Sequence, residues 1–493
     1  MALKLHDTLS RSLRAFTPRA GRPVGVYACG PTVYLPPHIG NFRTFVFNDL
    51  LHRYLEWQGH EVRFVMNLTD VEDKIIDGAR QRGVDITAVT APQTEAFFAD
   101  LRALGVRPAD VYPRATEHMD AMVGLVERLI EKDHAYERDG SVYFDIASFP
   151  AYGRLARVDL SQTRAGAGLA DRARGIDADE YEKADARDFA LWKAARDADR
   201  EVGAAWPTPW GEGRPGWHIE CSAMSMAELG ETVDIHTGGE DLIFPHHEDE
   251  IAQSEAATGQ PFVRYWLHVK HLKVNGEKMS KSKGNVFTIA DLVARGHAPS
   301  AIRYLLLMAH YRSELNFTFA GLEDARGALR RLLDFSRRLE AAPVAEGAAE
   351  VGLAAAAAVA LETFARGLDD DLNTPVALRA LFDFVREANA ALDRADEVPP
   401  AEHRAALDAL TSMDDVLGIV ALARAEEEGV DQEFAAWVEE RLDARRDARA
   451  RRDFAAADAI RSELGARGVV VEDTLQGVRW HRERGTADVA SNR

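Results

Sequence analysis

The chain has 493 residues, of which 46% are hydrophobic, and 60 Lys and Arg against 80 Asp and Glu give it a net charge of −20. This length predicts about three domains, and this charge argues against non-specific binding of nucleic acid over the whole surface. No run of about 18 apolar residues occurs, and residues 1–18 lack the apolar stretch of a secretory signal, so neither a membrane span nor an export signal is predicted. Cys29 and Cys221 are the only cysteines, which excludes a disulfide framework and is typical of a reducing cytoplasm.

After a loose lead-in expected over residues 1–22, the first predicted unit is βαβ and runs to about residue 70. An apolar run ends at Cys29, an amphipathic run covers residues 42–57, and a second apolar run covers residues 60–68. Such crossovers are almost always right-handed and belong to parallel sheets, which bind ligands at the carboxyl ends of their strands. A helix N-terminus favours phosphate, so the loop that carries Cys29 and His38 is a predicted nucleotide site.

The middle of the chain predicts a hairpin at residues 136–144, because an Asp-Gly pair separates two apolar runs. An irregular, charged insertion follows at 151–200. The stretch 206–215 is dense in Pro, Gly and Trp and is expected to be a structured loop. The sheet is expected to resume near residue 232, and from residue 289 the pattern is helical almost throughout.

These elements predict an α/β fold: a Rossmann-type, doubly wound parallel sheet with an insertion, followed by an all-α helical bundle and a small C-terminal domain. We expect a catalytic domain over residues 1–285, with its insertion at about 110–205. A connecting helical region over 286–340, a helical bundle over 341–428 and a C-terminal domain over 429–493 are expected to follow.

Four scattered residues offer the side chains of a zinc site: Cys29, Cys221, His246 and Glu250. His246 and Glu250 are four residues apart on a predicted helix and therefore share a face, and the neighbouring His247 and Glu248 are not assigned to the site. Two thiolates, an imidazole and a carboxylate would suit zinc. A second interpretation stays open, in which the two cysteines are ordinary buried core residues.

Two glycine-containing segments are candidates for nucleotide contacts. Residues 38–41, His-Ile-Gly-Asn, open the first helix, where Gly40 would let a triphosphate approach the backbone. Gly238 and Gly239 would bring the backbone near a nucleoside, with Asp241 accepting from ribose hydroxyls. The alternatives are an ordinary helix start and a tight turn with a surface acid.

The lysine loop, residues 275–285, contains Lys278, Lys281 and Lys283 in a chain whose ten lysines all precede Gly284. Lysines on a mobile loop can neutralise the charge that develops on a departing pyrophosphate. The alternative is a solvated basic loop without a catalytic role.

Taken together, these segments resemble the class I aminoacyl-tRNA synthetases, and specifically the cysteinyl-tRNA synthetase family. The resemblance is carried by Y-A-C-G-P-T-V-Y with H-I-G-N, by G-R-P-G-W-H-I-E-C-S-A-M, by F-P-H-H-E-D-E-I-A-Q-S and by K-M-S-K-S. Near the C-terminus, A-A-A-D-A-I-R and G-V-R-W are also similar to that family. The resemblance therefore covers nearly the whole chain.

The resemblance implies a role for each candidate residue. One zinc ion would be held by Cys29, Cys221, His246 and Glu250, and the amino-acid pocket would be lined by Cys29, Thr69 and Trp217. The catalytic residues would be His38, Asn41, Lys278 and Lys281. ATP would be bound by His38, Gly40, Asn41, Gly238, Gly239, Asp241 and Lys281.

The reaction implied by the resemblance is activation of L-cysteine by ATP, with Mg²⁺, to cysteinyl-adenylate and transfer to the 3′ end of the cysteine tRNA. Zinc binds thiolate far better than hydroxyl, so a zinc ion would separate cysteine from serine. The C-terminal domain would bind the anticodon, and a cytoplasmic monomer is expected. Two alternatives remain: an adenylate-forming cysteine ligase acting on an amino sugar, and a non-catalytic, zinc-containing RNA-binding protein.

Overall fold

Two compact units, Met1–Val420 and Ala421–Arg493, make up the protein. The computed structural model describes residues 2–158, 188–280, 283–451, 453–467, 469–474 and 477–482. Lys281 and Ser282 of the lysine loop and residues 159–187 of the charged insertion lie outside these ranges. Among the described helices, none combines the length and the apolar character that a membrane crossing requires.

The strands are mostly short, and they are numbered here in chain order. They are β1 (Lys4–Asp7), β2 (Ser12–Ala15), β3 (Val24–Ala28), β4 (Val62–Met66), β5 (Ala135–Arg138), β6 (Ser141–Phe144), β7 (Phe189–Ala194), β8 (Trp206–Thr208), β9 (Gly211–Pro215), β10 (Val233–Gly239), β11 (Val263–Val269), β12 (Leu272–Val274), β13 (Glu277–Lys278), β14 (Leu315–Phe317), β15 (Val469–Thr474) and β16 (Gly477–Arg482).

The α-helices occur throughout the chain and dominate after residue 289. They are α1 (Ile39–Trp57), α2 (Asp73–Arg82), α3 (Ile86–Ala103), α4 (Met119–Glu131), α5 (Asp197–Glu201), α6 (Trp217–Leu229), α7 (His246–Thr258), α8 (Ile289–Ala294), α9 (Pro299–Leu307), α10 (Phe319–Glu340), α11 (Leu353–Asp369), α12 (Thr374–Leu392), α13 (Pro400–Leu417), α14 (Val420–Ala450) and α15 (Phe454–Ala466).

The central sheet of the first unit is parallel and has the order β11-β10-β3-β4. The predicted βαβ unit is confirmed as β3, α1 and β4, and every residue of β3 is buried. The chain leaves β3 toward β4 on one side and returns through β10 and β11 on the other. The topological switch point therefore lies between β3 and β10, where open α/β sheets bind their ligands.

A five-stranded antiparallel sheet of order β5-β6-β7-β9-β8 lies between residues 135 and 215, so it extends beyond the limit of about 205 expected for the insertion. The predicted hairpin at 136–144 is confirmed as β5 and β6, with Asp139 and Gly140 at φ of 53° and 76° in the turn. The expectation of a loop at 206–215 is wrong, because these residues form the hairpin β8–β9. Their Pro and Gly content hid an edge hairpin, a position in which strands tolerate Pro.

The expectation of a loose lead-in is also wrong, because residues 4–15 form the antiparallel hairpin β1–β2. The buried Asp7 carboxylate accepts from the backbone N–H of Leu9 and Ser10 in the turn, at 3.3 and 3.1 Å. It also accepts from Trp266 N–H of β11 at 3.1 Å, which attaches the hairpin to the sheet. A contact between residues 259 positions apart leaves no periodic signal in the sequence.

The helical pattern expected after residue 289 is confirmed by α8–α15. Its interruptions are β14, which pairs in parallel with β12, and the antiparallel pair β15–β16. The helix α14 continues through Gly429, where the sequence indicates the start of the last segment. In the second unit, Val438, Leu442, Leu464 and Val469 form a small core.

Candidate active site and metal centre

Four buried side chains from three elements converge at the carboxyl end of β3. Cys29 follows β3, Cys221 lies on α6, and His246 and Glu250 lie one turn apart on α7. The two Sγ atoms are 3.7 Å apart, Cys29 Sγ lies 3.8 Å from Glu250 Oε1, and His246 Nε2 lies 3.1 Å from that oxygen. One ligand atom from each residue falls within 4.8 Å of the others, so the cluster could hold a metal ion.

A second possible set shares Cys29 and Glu250 but replaces the other two residues with His236 and His247. His247 Nε2 is 3.3 Å from Cys29 Sγ, and His236 Nε2 is 2.9 Å from Glu250 Oε2. His247 lies three residues before Glu250, and that spacing also brings two side chains to one helix face. His236, in contrast, lies on β10 and left no signal in the sequence. The first set contains both thiols of the chain, and thiolates are ligands that zinc prefers.

The first set contains groups of both charges. Although burial opposes its charge, hydrogen bonds with Cys221 and Glu250 raise the pKa of His246 to about 10. The hydrogen bond with Cys29 lowers the pKa of Cys221 to about 6 despite its burial. Burial opposes the charge of Glu250, but the neighbouring His236 and His246 lower its pKa to about 2. Both groups are therefore anionic at neutral pH, whereas burial raises the pKa of Cys29 well above its ordinary value.

The imidazole of His246 is fixed by its neighbours. Its ring stacks on Trp217, with centroids 4.2 Å apart, and its Nδ1 lies 2.9 Å from Nδ1 of His218. His218 in turn lies 3.4 Å from a carboxylate oxygen of Asp249, which accepts a hydrogen bond from the Tyr152 hydroxyl. Such outer contacts orient metal-binding histidines in proteins.

A cavity of ≈ 290 Å³ opens beside this cluster and is lined in part by Trp217, His218 and Glu220. The Thr69 hydroxyl donates to the buried Glu220 carboxyl at 2.9 Å. Burial, with Cys221 adding to the effect, raises the pKa of Glu220 well above its ordinary value. Glu220 is a polar group beside the cavity that the sequence did not single out, although it lies next to Cys221.

His38 and Asn41 orient each other at the start of α1. Asn41 N–H donates to His38 Nδ1 at 3.3 Å, and His38 N–H donates to Asn41 Oδ1 at 3.0 Å. This reciprocal cap fixes both side chains at the positive end of the helix. The terminal methyl of Met279 in the lysine loop lies close to where a Cβ atom on Gly40 would be, so the loop packs against the helix start.

Gly238 and Gly239 end β10, beside the strand that leads to Cys29. A Cβ atom on Gly238 would lie 2.7 Å from the His247 ring, so only glycine fits there without a shift. Asp241 follows in a short 3₁₀ turn. The same sheet edge therefore carries the predicted nucleoside contacts and the metal cluster.

The lysine loop extends from the small strand pair β12–β13, in which Lys278 lies opposite Lys273. Lys278 is exposed, and Asn285 closes the loop by accepting from Ser280 N–H at 2.8 Å and donating to the Lys278 carbonyl at 3.3 Å. The backbone of Ile39 in α1 donates to the Phe287 carbonyl at 2.8 Å, just beyond the loop. The position predicted for Lys281 lies outside the described residues.

Three family models match successive parts of the chain. The model described as "tRNA synthetases class I (C) catalytic domain" matches residues 15–327, "DALR domain" matches 363–421, and "Cysteinyl-tRNA ligase anticodon binding domain" matches 431–480. The first match alone spans more than half of the chain.

Known proteins agree with these matches over nearly the full length. The chain is 49% identical to a cysteine–tRNA ligase of Solibacter usitatus, covering 98% of this chain and 100% of the relative, and 45% identical to one of Koribacter versatilis with the same coverage. A solved methionyl-tRNA synthetase of Mycobacterium tuberculosis, bound by methionyl-adenylate, matches with a TM-score of 0.56 at 17% identity, over 81% of this chain and 90% of that chain. The structural match shows the shared fold, and the sequence matches show that the chain belongs to the cysteine–tRNA ligase family of the class I tRNA synthetases.

Proposed function

We propose that the chain catalyses ATP-dependent attachment of L-cysteine to the 3′ end of the cysteine tRNA, through cysteinyl-adenylate. One observation carries this proposal. The possible metal-binding cluster, which contains two thiols, and the capped start of α1 lie at the same edge of the parallel sheet. The partners are then ATP, L-cysteine and the cysteine tRNA, and Mg²⁺ accompanies ATP.

The metal of the cluster is proposed to be a single zinc ion bound by Cys29, Cys221, His246 and Glu250. Two thiolates on one tetrahedral zinc, each at about 2.3 Å, lie about 3.8 Å apart, and the two Sγ atoms are separated by 3.7 Å. A bound zinc ion supplies a contact that accepts thiolate in preference to hydroxyl oxygen. Trp217 holds the His246 ring in place, and Thr69 keeps the Glu220 carboxyl oriented beside the cavity.

The reaction at phosphorus is proposed to depend on position and charge, because in-line displacement needs little covalent chemistry. His38 and Asn41 contact phosphate oxygens at the positive end of α1, where Gly40 keeps the backbone accessible. The 238–241 segment, with Gly238, Gly239 and Asp241, binds the nucleoside. Lys278 and Lys281 stabilise the departing pyrophosphate.

Residues 429–493 are proposed to bind the anticodon end of the tRNA, with 286–340 and 341–428 as the helical region and bundle that follow the catalytic domain. We also propose a monomer located in the cytoplasm. The match of residues 431–480 to an anticodon-binding domain favours tRNA over an amino sugar as the acceptor of cysteine.

The test is cysteine-dependent exchange of pyrophosphate into ATP, followed by charging of the cysteine tRNA. Exchange with cysteine but not with serine, and formation of cysteinyl-tRNA, are expected. Exchange without charging, together with transfer to an amino sugar, would instead support the alternative ligase. Absence of exchange would exclude both enzymes.

A further inference from the structure

Arg43 is a buried cation whose four hydrogen-bond acceptors are all main-chain carbonyls. It lies on the second turn of α1, and only 2% of its surface is exposed. Its Nη1 donates to the carbonyls of Lys270 and His271, both at 2.8 Å. Its Nη2 donates to the carbonyls of His310, at 3.2 Å, and of Ser313. A single guanidinium thus joins α1 to two separate segments of chain.

Those two segments lead directly into the strands that carry the lysine loop. Residues 270–271 separate β11 from β12, and residues 310–313 precede β14, which pairs with β12. Lys270 N–H also donates to the Tyr311 carbonyl at 2.8 Å, so the segments bind each other. Because β12 pairs with β13, its position determines where Lys278 lies.

Glu240 binds the same dipeptide with its carboxylate. Its Oε1 accepts from His271 N–H at 2.9 Å, and its Oε2 lies 2.6 Å from Lys270 Nζ. Glu240 follows Gly239 immediately, at the end of β10. The Lys270–His271 dipeptide is therefore attached both to the helix that begins at His38 and to the proposed nucleoside segment.

We propose that Arg43 is a positioning residue for adenylate formation, which fixes the Lys270–His271 dipeptide and so sets the distance between the start of α1, the 238–241 segment and the lysine loop. The inference rests on the proposed function and assigns Arg43 no contact with substrate. Arginine suits the task because its planar fork reaches four carbonyls, whereas lysine is a compact charge with three donors. A displacement of about 1 Å in such a framework can slow a reaction on the order of 100-fold.

The experiment measures single-turnover formation of cysteinyl-adenylate and, separately, equilibrium binding of cysteine. Arg43→Lys keeps the charge, and we expect it to slow adenylate formation roughly 10- to 100-fold. Cysteine affinity should change by less than about twofold, since the metal cluster does not contact Arg43. A variant as fast as the wild type, or one that loses cysteine affinity in the same proportion as rate, would overturn the inference.

The matched control is Arg53→Lys on the same helix. Arg53 also donates to two carbonyls, of Gly105 at 2.7 Å and of Asp415 at 3.1 Å, but these segments do not lead to the lysine loop. Its substitution should lower the thermal midpoint and leave the rate of adenylate formation unchanged. An equal loss of rate in both variants would mean that Arg43 acts only through the stability of α1.

Glu240→Gln keeps the inference testable if Arg43→Lys does not fold. Alone, Glu240→Gln should slow adenylate formation several-fold without changing cysteine affinity, and an unchanged rate would count against the inference. In the Arg43→Lys background it should add little, because both residues act on one dipeptide. If the wild type shows no cysteine-dependent exchange, the proposed function fails; if it does and these variants match it, only this inference fails.

Discussion

The indole ring of Trp217 lies over the imidazole ring of His246, with centroids 4.2 Å apart and 30° between the ring planes. Both residues are the first of their helices, α6 and α7, so the stack also holds the two helix starts together. Trp217 lines the ≈ 290 Å³ cavity, which makes it a link between the metal cluster and the proposed cysteine pocket.

Trp217→Ala should therefore weaken cysteine binding. Aromatic stacking contributes about 0.5–1.5 kcal/mol, so the dissociation constant is expected to rise up to about tenfold. Trp217→Phe keeps an aromatic ring and should lose much less affinity. Calorimetric titration with cysteine checks both, and equal affinity in all three proteins would contradict the role given to the stack.

Purified protein should contain about one zinc ion per chain, and Cys221→Ala should contain far less, because the thiolate is a ligand that zinc strongly prefers. Ser225→Ala is the matched control, since Ser225 is buried on the same helix and its hydroxyl donates to the Ser222 carbonyl at 3.1 Å. Elemental analysis after dialysis gives the metal content. Equal zinc in wild type and Cys221→Ala would exclude Cys221 as a ligand.

Lys281→Ala should slow adenylate formation roughly 100- to 1,000-fold with little change in cysteine affinity, because its charge is needed where negative charge develops. Lys273→Ala is the control: Lys273 lies on β12 opposite Lys278, and it pairs with Glu314 at 2.8 Å. Pyrophosphate-exchange kinetics distinguish the two. If both substitutions slow adenylate formation by the same factor, the loop supplies only a general positive potential.

The buried ion pair between Arg303 and Asp49 should govern stability. Arg303 Nη2 donates to Asp49 at 2.5 Å, and both side chains are fully buried. Breaking such a pair costs about 3–5 kcal/mol, because the remaining charge stays buried without a partner. Asp49→Asn should accordingly lower the thermal midpoint by several degrees at pH 7.

This stabilisation has a predictable pH dependence. Burial alone would raise the pKa of Asp49, but Arg303 and Arg53 hold it below its usual value. The contribution of Asp49 to the free energy of unfolding is therefore complete above the pKa of the unfolded carboxyl, about 3.9. It is lost as the pH falls through the lower pKa of the folded state. Thermal midpoints of wild type and Asp49→Asn should differ most near neutral pH and converge in acid.

Exposed arginines of the second unit should contribute to tRNA charging. Deletion from Gly429 would cut α14, which runs from Val420 to Ala450, so substitution is the cleaner test. The triple change Arg446→Gln, Arg451→Gln and Arg461→Gln should raise the KM for tRNA on the order of tenfold and weaken its salt dependence.

The control for this prediction replaces three exposed arginines of α11 and α12, namely Arg366, Arg379 and Arg386. Both triple variants should retain cysteine-dependent pyrophosphate exchange, since the nucleotide motifs precede residue 286. If both triple variants charge tRNA as well as the wild type, the arginines of the second unit serve only its own helices.

The sequence alone predicted features that depend on residues close together in the chain. The spacing of His246 and Glu250 by four places both on one helical face, and α7 bears this out. Apolar runs on either side of an amphipathic one predict β3, α1 and β4, because periodicity reports directly on which face is buried. The resemblance of the motifs to class I synthetases likewise needs only residue types and order.

The family resemblance implied that Cys29 and Cys221 share one zinc ion, but only the tertiary structure shows how distant groups approach each other. Cys29 and Cys221 are 192 positions apart, yet their sulfur atoms lie within 3.7 Å. His236 on β10 contacts Glu250 on α7, and Arg43 reaches carbonyls more than 220 positions away. The hairpin β1–β2 was missed for the same reason, since Asp7 attaches it to Trp266. Periodicity records burial within one element, whereas pairing between elements follows from how the sheet and its crossovers pack.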